Sequence, residues 1–183
     1  MKRLLRRMGR AALLHADTYE EVEADRSSIG PATLIVLAAC AAIAAARYVL
    51  GVQAGIESQR LAFQVLLSAL EPLAVWLGGS AFAFMVGATF FRGPETETDF
   101  AEVLRTTGFA FTPALLRVFV LLPPAALGLS IDLLARFWTF AAVVVAIRQA
   151  LDFTTARAVG TFAFAALLLW LVLWGASVAP LPF

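Results

Sequence analysis

Five long apolar runs, separated by short charged connections, form the pattern of the chain. The runs occupy about residues 31–50, 65–91, 103–122, 131–151 and 158–178. Each holds at least the roughly 20 residues that an α-helix needs to cross the hydrocarbon layer of a membrane. The pattern predicts an all-α polytopic membrane protein. Its bundle of five transmembrane helices lies within residues 29–183, after a short, cytoplasmic, amphipathic segment at residues 1–28.

Composition supports a membrane protein. Of the 183 residues, 61% are hydrophobic and 15% are charged, whereas soluble domains have nearer half apolar and a quarter charged residues. So few polar residues cannot cover a globule of this size in water. Five spans also leave no room for a separate soluble domain.

The amino-terminal segment carries basic and apolar residues at helical spacing. On a helix, one face would hold Leu4, Leu5, Met8, Ala11 and Ala12. The opposite face would hold Arg3, Arg6, Arg7 and Arg10. This pattern is typical of a helix that lies in an anionic membrane surface. A basic segment without fixed structure is the alternative.

Acidic residues follow this basic helix. We expect them to face solvent: Asp17, Glu20, Glu21, Glu23 and Asp25. Thr18 and Glu21 have the spacing of a capping box, which predicts the start of a second short helix.

The longest charged connection, Arg92 to Arg105, leads into the third run. Asp99 and Glu102 have the spacing of an N-cap and its reciprocal partner, so a helix should start there. We expect Asp99, Glu102 and Arg105 to form a cytoplasmic surface together with the four amino-terminal arginines.

Prolines interrupt two of the runs and end a third. Pro72 and Pro113 should break their helices and free the carbonyl groups of Ser68 and Phe109, one turn earlier. The pair Pro123–Pro124 should end the third run.

Basic residues are distributed unevenly between alternate connections. With the amino terminus in the cytoplasm, ten lie inside: Lys2, Arg3, Arg6, Arg7, Arg10, Arg26, Arg92, Arg105, Arg148 and Arg157. Three lie on the opposite side: Arg47, Arg60 and Arg136. The positive-inside rule therefore predicts a cytoplasmic amino terminus and an external carboxyl terminus, in a bilayer with an anionic inner leaflet.

Charged residues also occur inside the apolar runs. Glu71, Arg117 and Arg136 each lie five or six residues from the outer end of a run, roughly 8–9 Å deep, and Asp132 lies just above them. Because an unpaired charge in a span is costly, we expect Glu71 to pair with Arg117 or Arg136. The alternative is that each arginine reaches the outer headgroups independently. Such a cluster could tie the bundle together, or it could form a proton or substrate relay.

Catalytic, metal and nucleic-acid sites lack their usual residues. His15 is the only histidine, Lys2 the only lysine and Cys40 the only cysteine. We therefore expect no histidine-based metal site or Ser–His pair within the membrane, and no intrachain disulfide. A glycine-rich phosphate loop is absent. We expect no enzyme, no cofactor and no binding of nucleic acid.

Several segments resemble one membrane-protein family. They are DFAEVLR running into GFAFTPALL, the Pro-Pro break, WTFAAVVVAIRQAL, ARAV, and the upstream ALLHADTYEEVEAD. In order and spacing, from about Ala11 to Val178, the chain resembles the Yip domain family, five-span proteins named for interaction with Ypt/Rab GTPases. The resemblance implies the five-span fold and supplies no catalytic residues.

The resemblance also bears on partners. Family members in eukaryotes act in vesicle traffic and assemble with other membrane proteins. The alanine, arginine and leucine richness of this chain is typical of bacteria, where we expect an inner-membrane protein and no Rab-type GTPase partner. We predict a non-enzymatic scaffold or organiser that binds a membrane-protein partner or a second copy of itself. The alternative is a small transporter or permeation subunit that uses Glu71, Arg117 and Arg136.

Overall fold

The computed structural model describes residues 1–90 and 99–178, with side chains as far as residue 172. In these ranges the regular elements are helices, as the sequence predicts. The α-helices are α1 (Lys2–Ala12), α2 (Ala16–Ala24), α3 (Ile29–Gln53), α4 (Ser58–Phe90), α5 (Phe100–Ala110), α6 (Ala125–Ala150) and α7 (Thr155–Val178). Short 3₁₀ helices occupy Arg26–Ser28 and Thr112–Leu121. Arg92, which enters the orientation argument, lies outside the described residues.

Five helical stretches are long and apolar enough to cross a membrane. They are Arg26–Gln53, Ser58–Phe90, Phe100–Leu121, Ala125–Ala150 and Thr155–Val172. The prediction of an all-α, five-span architecture is confirmed.

The third span changes helix type near Pro113. Helix α5 ends at Ala110, and the chain continues as the 3₁₀ segment Thr112–Leu121, with Pro113 in its first turn. A proline cannot donate the backbone hydrogen bond that an α-helix would need there. The hydroxyl of Thr112 donates to the carbonyl oxygen of Phe109 at 2.8 Å, so the freed acceptor is satisfied locally.

Pro72 does not break its helix. Helix α4 continues through Pro72 without a break, although a break was predicted. Prolines are tolerated inside membrane helices when neighbouring groups stabilise the local backbone, and here Pro72 is buried against the bundle. Pro123 and Pro124 do separate two elements, because the 3₁₀ segment ends at Leu121 and α6 begins at Ala125.

Two clusters of buried residues hold the bundle together. The first joins the amino-terminal helices to the middle of the bundle and centres on Tyr19, Ile35, Trp76 and Phe109. The second joins the end of α4 to α5, α6 and α7 through Ala83, Val103, Ile147, Leu151, Ala158 and Ala165. Small residues allow close approach within the first cluster, since a Cβ on Gly108 would lie 2.6 Å from the Cβ of Ala32.

Helices α1 and α2 form an antiparallel pair, the amino-terminal hairpin (residues 2–24). The indole N–H of Trp138 on α6 donates to the carbonyl of Ala12 at 2.6 Å, and Leu4 and Met8 pack against the first cluster. Much of the apolar face of α1 is therefore turned toward protein rather than toward the lipid surface for which it was predicted. The segment has a fixed place on the bundle.

Candidate functional site

One cavity, between α3, α4, the 3₁₀ segment Thr112–Leu121 and α6, is lined by charged residues of the apolar runs, among them Glu71, Arg117, Asp132 and Arg136. This polar cavity has a volume of about 420 Å³. Its polar lining consists of Arg47, Gln64, Ser68, Glu71, Arg117, Asp132 and Arg136. The structure thus brings together the four residues that the sequence placed at similar depth.

Asp132 joins the two arginines of the cavity. Its Oδ1 accepts from Nε of Arg117 at 3.0 Å, and its Oδ2 accepts from Nε of Arg136 at 2.8 Å. The Arg117 side chain is 12% exposed and that of Arg136 is 44% exposed. One carboxylate therefore ties the 3₁₀ segment to α6, with a charge-assisted hydrogen bond on each side.

Glu71 does not make the pairing that we predicted. Among the described residues, no ion pair joins Glu71 to Arg117 or to Arg136, and the glutamate is exposed at the wall of the cavity. Asp132 is better placed because it lies one turn from Arg136 on the same helix. The spacing of four residues between Asp132 and Arg136 could have identified this pair from the sequence.

Arg47, one of the basic residues expected on the external side, also lines the cavity. Its Nη2 donates to Oε1 of Gln64 at 3.1 Å and so connects α3 with α4. Arg47 follows a long apolar stretch in α3, but the sequence gives no sign that its side chain turns toward α4.

A second cavity adjoins the first. This apolar slot has a volume of about 240 Å³ and shares Ile43, Glu71, Arg117 and Arg136 with the polar cavity. It runs between α4, α6 and α7 as far as Ser80, Thr107 and Ile147. The hydroxyls of Ser80 and Thr107 lie 2.8 Å apart and bond to each other. The remote end of the slot therefore offers little polar character.

A second charged site holds the amino-terminal hairpin closed. Arg7 is buried, with 6% of its side chain exposed. It donates to Glu21 at 2.8 and 3.0 Å, to Asp25 at 2.9 Å and to the hydroxyl of Ser28 at 3.0 Å. Arg7 was predicted to lie on the cytoplasmic surface, and that prediction is wrong because its carboxylate partners fold over it.

The acidic partners of Arg7 are held in their charged form. The hydrogen bond from Arg7 lowers the pKa of Glu21. Hydrogen bonds from Ser27 and then Arg7 lower the pKa of Asp25. Groups with lowered pKa stabilise the fold above their ordinary pKa, and this contribution is lost as the pH falls through the lowered value. The carboxylates of this segment were expected to be solvated, but Glu21 and Asp25 are partly buried in ion pairs.

The other basic residues of α1 lie at the surface. Arg3 pairs with Glu21 at 3.2 Å, and Arg10 lies 3.6 Å from Asp17. Arg10 also donates to the hydroxyl of Thr18 at 2.9 Å. Thr18 lies inside α2, which begins at Ala16, so the capping box predicted at Thr18 does not form. Arg6 is exposed.

The start of α5 contributes the second attachment of the hairpin. The capping box of Asp99 and Glu102 is present, with hydrogen bonds of 2.8 and 2.9 Å. Arg105 is buried rather than exposed as predicted, with 5% of its side chain accessible. Its Nη2 donates to the carbonyl oxygen of Glu23 at 2.5 Å. Helix α2 therefore covers Arg105.

Glu23, whose carbonyl oxygen accepts the bond from Arg105, also has a titratable side chain. Burial, followed by the negative charges of Asp152 and Glu102, raises the pKa of Glu23 to about 7. The carboxyl group therefore changes charge near neutral pH, beside the carbonyl that holds Arg105. Sequence reasoning missed this group because only the fold brings Asp152 and Glu102 close to α2.

Within the described residues, no group of three or more histidine, cysteine, aspartate or glutamate side chains could hold a metal ion. The single cysteine, Cys40, is buried and free.

Comparison with known proteins gives a family. The model of the Yip1 domain matches residues 12–177. No curated protein and no solved structure matched the chain. The matched range takes in α2, all five spans and the 3₁₀ segment. The chain therefore belongs to the Yip1 domain family, and it is an integral membrane protein.

Proposed function

We propose that this protein is a non-enzymatic membrane scaffold that binds a partner protein through its amino-terminal hairpin. The observation that carries this proposal is that two buried arginines fix the hairpin: Arg7 holds α1 on α2, and Arg105 on α5 holds the carbonyl of Glu23. Burying a guanidinium is costly unless it is paired and hydrogen-bonded. A segment held in this way presents its outer side chains in a fixed arrangement, as a docking surface requires.

The outer surface of the hairpin is rich in charge. Exposed residues there include Lys2, Arg3, Arg6, Arg10, Asp17 and Glu20. Such a surface favours a partner with complementary charges on a cytoplasmic or juxtamembrane segment. A second membrane protein and a second copy of this chain are the two kinds of partner that we propose to test. We do not propose a Rab-type GTPase, since the composition is typical of a bacterial chain.

We further propose that the scaffold lies in a bacterial inner membrane with its amino terminus in the cytoplasm. The excess of basic residues on that side supports this orientation. The hairpin packs against the start of α5 and the end of α6, next to Arg105 and Arg148, which the orientation also assigns to the cytoplasm. A reporter fused after Phe183 should be active outside the cytoplasm, and activity restricted to the cytoplasm would reverse the orientation.

Crosslinking in native membranes tests the scaffold. A photo-crosslinking residue at Arg6 should capture a defined partner, and the same residue at Arg60, at the opposite end of the bundle, should not. The charge reversal Arg6→Glu should abolish co-purification of that partner, while Arg60→Glu should leave it intact. Equal recovery of the partner with both variants, or no adduct at position 6, would refute docking on the hairpin.

The polar cavity favours a second candidate, a small transporter or permeation subunit. Intramembrane ionisable residues often mark pathways for ions or substrates, and Glu71 makes no ion pair among the described residues. In proteoliposomes, proton or solute flux that disappears with Glu71→Gln and persists with Glu57→Gln, on the loop before α4, would support transport. Identical flux from protein-containing and empty vesicles would exclude it.

A further inference from the structure

The polar cavity and the apolar slot form one continuous amphiphilic site. They share Glu71, Arg117 and Arg136, which lie where the two volumes meet. Ligand sites are typically apolar cavities with a few convergent polar groups, and this site has its polar groups at one end only. A molecule that fills both parts must be apolar along most of its length and charged at one end.

The shape of the slot suits a chain. Glu71 and Ser80 both line it and are nine residues apart on α4, which corresponds to about 14 Å of helix. The polar side-chain atoms along its wall are satisfied by the protein. The indole N–H of Trp76 donates to the carbonyl of Leu104 at 3.0 Å, and the hydroxyl of Thr139 donates to that of Ala135 at 2.7 Å. The wall is therefore suited to hydrocarbon.

Three arginines line the polar end of the site, which we call its mouth: Arg47, Arg117 and Arg136. Most of their N–H groups make no hydrogen bond among the described residues. Arg117 and Arg136 each use Nε for Asp132, and Arg47 uses Nη2 for Gln64. A guanidinium has five N–H donors, and among the described residues these arginines use one each. Planar guanidinium groups with free N–H donors recognise phosphate well. Phosphate is therefore the acidic group that this end of the site fits.

Glu71 adds the opposite charge at the same mouth. Since Asp132 is engaged by both arginines, Glu71 is the cavity carboxylate without an ion pair among the described residues. A phosphate bound next to the carboxylate of Glu71 would be repelled by it. A ligand that carries an ammonium group a few atoms from its phosphate would pair with both the arginines and Glu71.

We infer that the site binds one phospholipid with an amine-bearing headgroup. One acyl chain lies in the apolar slot, the phosphate contacts Arg47 and Arg136, and the ammonium group pairs with Glu71. The lipid is a bound component of the bundle, and this inference does not depend on a partner of the amino-terminal hairpin.

Native mass spectrometry of the purified, delipidated full chain tests the inference. Synthetic phosphatidylethanolamine should bind with one molecule per chain. Phosphatidylglycerol, which has the phosphate but no amine, should bind at least ten-fold more weakly. Inorganic phosphate at millimolar concentration should not displace the lipid, since it cannot occupy the slot. Equal binding of the two lipids, displacement by free phosphate, or no bound lipid would overturn the inference.

Substitutions at two glycines test the role of the slot separately from that of the polar cavity. Gly79 lines the slot, and a Cβ built on it meets no atom within 4 Å, so the side chain of Gly79→Leu should enter the slot. Gly30→Leu is the matched control, because a Cβ on Gly30 also meets nothing within 4 Å and Gly30 lines neither cavity. Phosphatidylethanolamine occupancy should fall at least ten-fold with Gly79→Leu and stay unchanged with Gly30→Leu. Unchanged occupancy in both variants would overturn the placement of the acyl chain.

Charge variants test the headgroup. Glu71→Gln should remove the preference for phosphatidylethanolamine over phosphatidylglycerol, and it can break no described ion pair, so the fold should be retained. Arg136→Gln should weaken binding of both lipids, whereas Arg60→Gln, outside both cavities, should weaken neither. A lipid preference that survives Glu71→Gln would exclude the role assigned to Glu71.

Discussion

Replacing Arg7 by glutamine should release the amino-terminal hairpin while the five long helices stay folded. Arg7 donates four hydrogen bonds that join α1 to α2 and to the turn before α3. Glutamine keeps a polar side chain but has neither the charge nor the reach of the guanidinium. Loss of the guanidinium of Arg7 leaves Glu21 with the exposed Arg3 as its partner.

The loss of free energy depends on how well water can solvate the carboxylate partners of Arg7 once the guanidinium is gone. Removing one member of a fully buried ion pair costs about 3–5 kcal/mol. Arg7 itself is nearly inaccessible, but the side chain of Glu21 is 39% exposed, so water can rehydrate part of its carboxylate. We therefore expect a loss of about 2–3 kcal/mol in the free energy that holds the hairpin closed. At 1.4 kcal/mol per factor of ten, this is about a 30- to 150-fold rise in the open population.

Hydrogen exchange of the protein in detergent measures this population directly. The amides of α1 and α2 should exchange about 30- to 150-fold faster in Arg7→Gln, while those of α4 and α7 should be unchanged. Arg6→Gln is the matched control, since Arg6 is the neighbouring residue on the same helix and is exposed. If the two variants exchange within about three-fold of each other, Arg7 does not hold the hairpin.

Two further predictions concern the attachment to α5 and the packing of α5 on α3. Glu23 has its pKa raised from 4.5 to about 7, so its contribution to docking is complete below pH 4.5 and is lost as the pH rises through 7. Exchange of α2 should therefore speed up between about pH 4.5 and 8, mostly below pH 7, after correction for intrinsic rates. The corresponding loss of free energy is about 1–2 kcal/mol allowing for solvent screening. Glu23→Gln should abolish this dependence, and a dependence that persists would assign it elsewhere. Gly108→Ala would place a Cβ 2.6 Å from the Cβ of Ala32, so it should destabilise the bundle by about 1–3 kcal/mol and lower the midpoint of thermal unfolding. Gly9→Ala, with no atom within 4 Å of its Cβ, should not lower the midpoint, and equal midpoints for the two variants would contradict the close contact.

The fold could be predicted from the length of the five apolar runs. The five spans are visible in the sequence because each helix must supply its own hydrocarbon-facing surface and satisfy its own backbone. The capping box of Asp99 and Glu102 was also predictable, since it depends on residues three apart in the chain. Features of this kind need no knowledge of which helices touch.

Pairings between distant helices were not accessible in this way. Similar depth placed Glu71, Arg117, Asp132 and Arg136 near one another, but depth alone does not say how each helix is rotated about its axis. As α6 is rotated in the structure, Asp132 accepts hydrogen bonds from both Arg117 and Arg136, and Glu71 lies at the cavity wall.

The amino-terminal arginines show a further limit of sequence patterns. An amphipathic helix has the same spacing whether its apolar face meets lipid or protein. Arg7 belongs to the basic face by its position, yet it is buried because the acidic helix α2 folds back over it. The neighbouring blocks of opposite charge, residues 3–10 and 17–25, were the signal for this hairpin.

The attachment of the hairpin to α6 sets an order of assembly. Ala12 and Trp138 are 126 residues apart, and Glu23 and Arg105 are 82 apart. During synthesis the amino-terminal residues leave the ribosome long before either docking site exists. Arg7 can close α1 onto α2 early, but the hairpin finds its place only after α5 and α6 have entered the membrane. Docking of the hairpin is therefore completed only after α6 is in place, and in chains that stop earlier Tyr19 and Val22 lack the bundle residues that bury them.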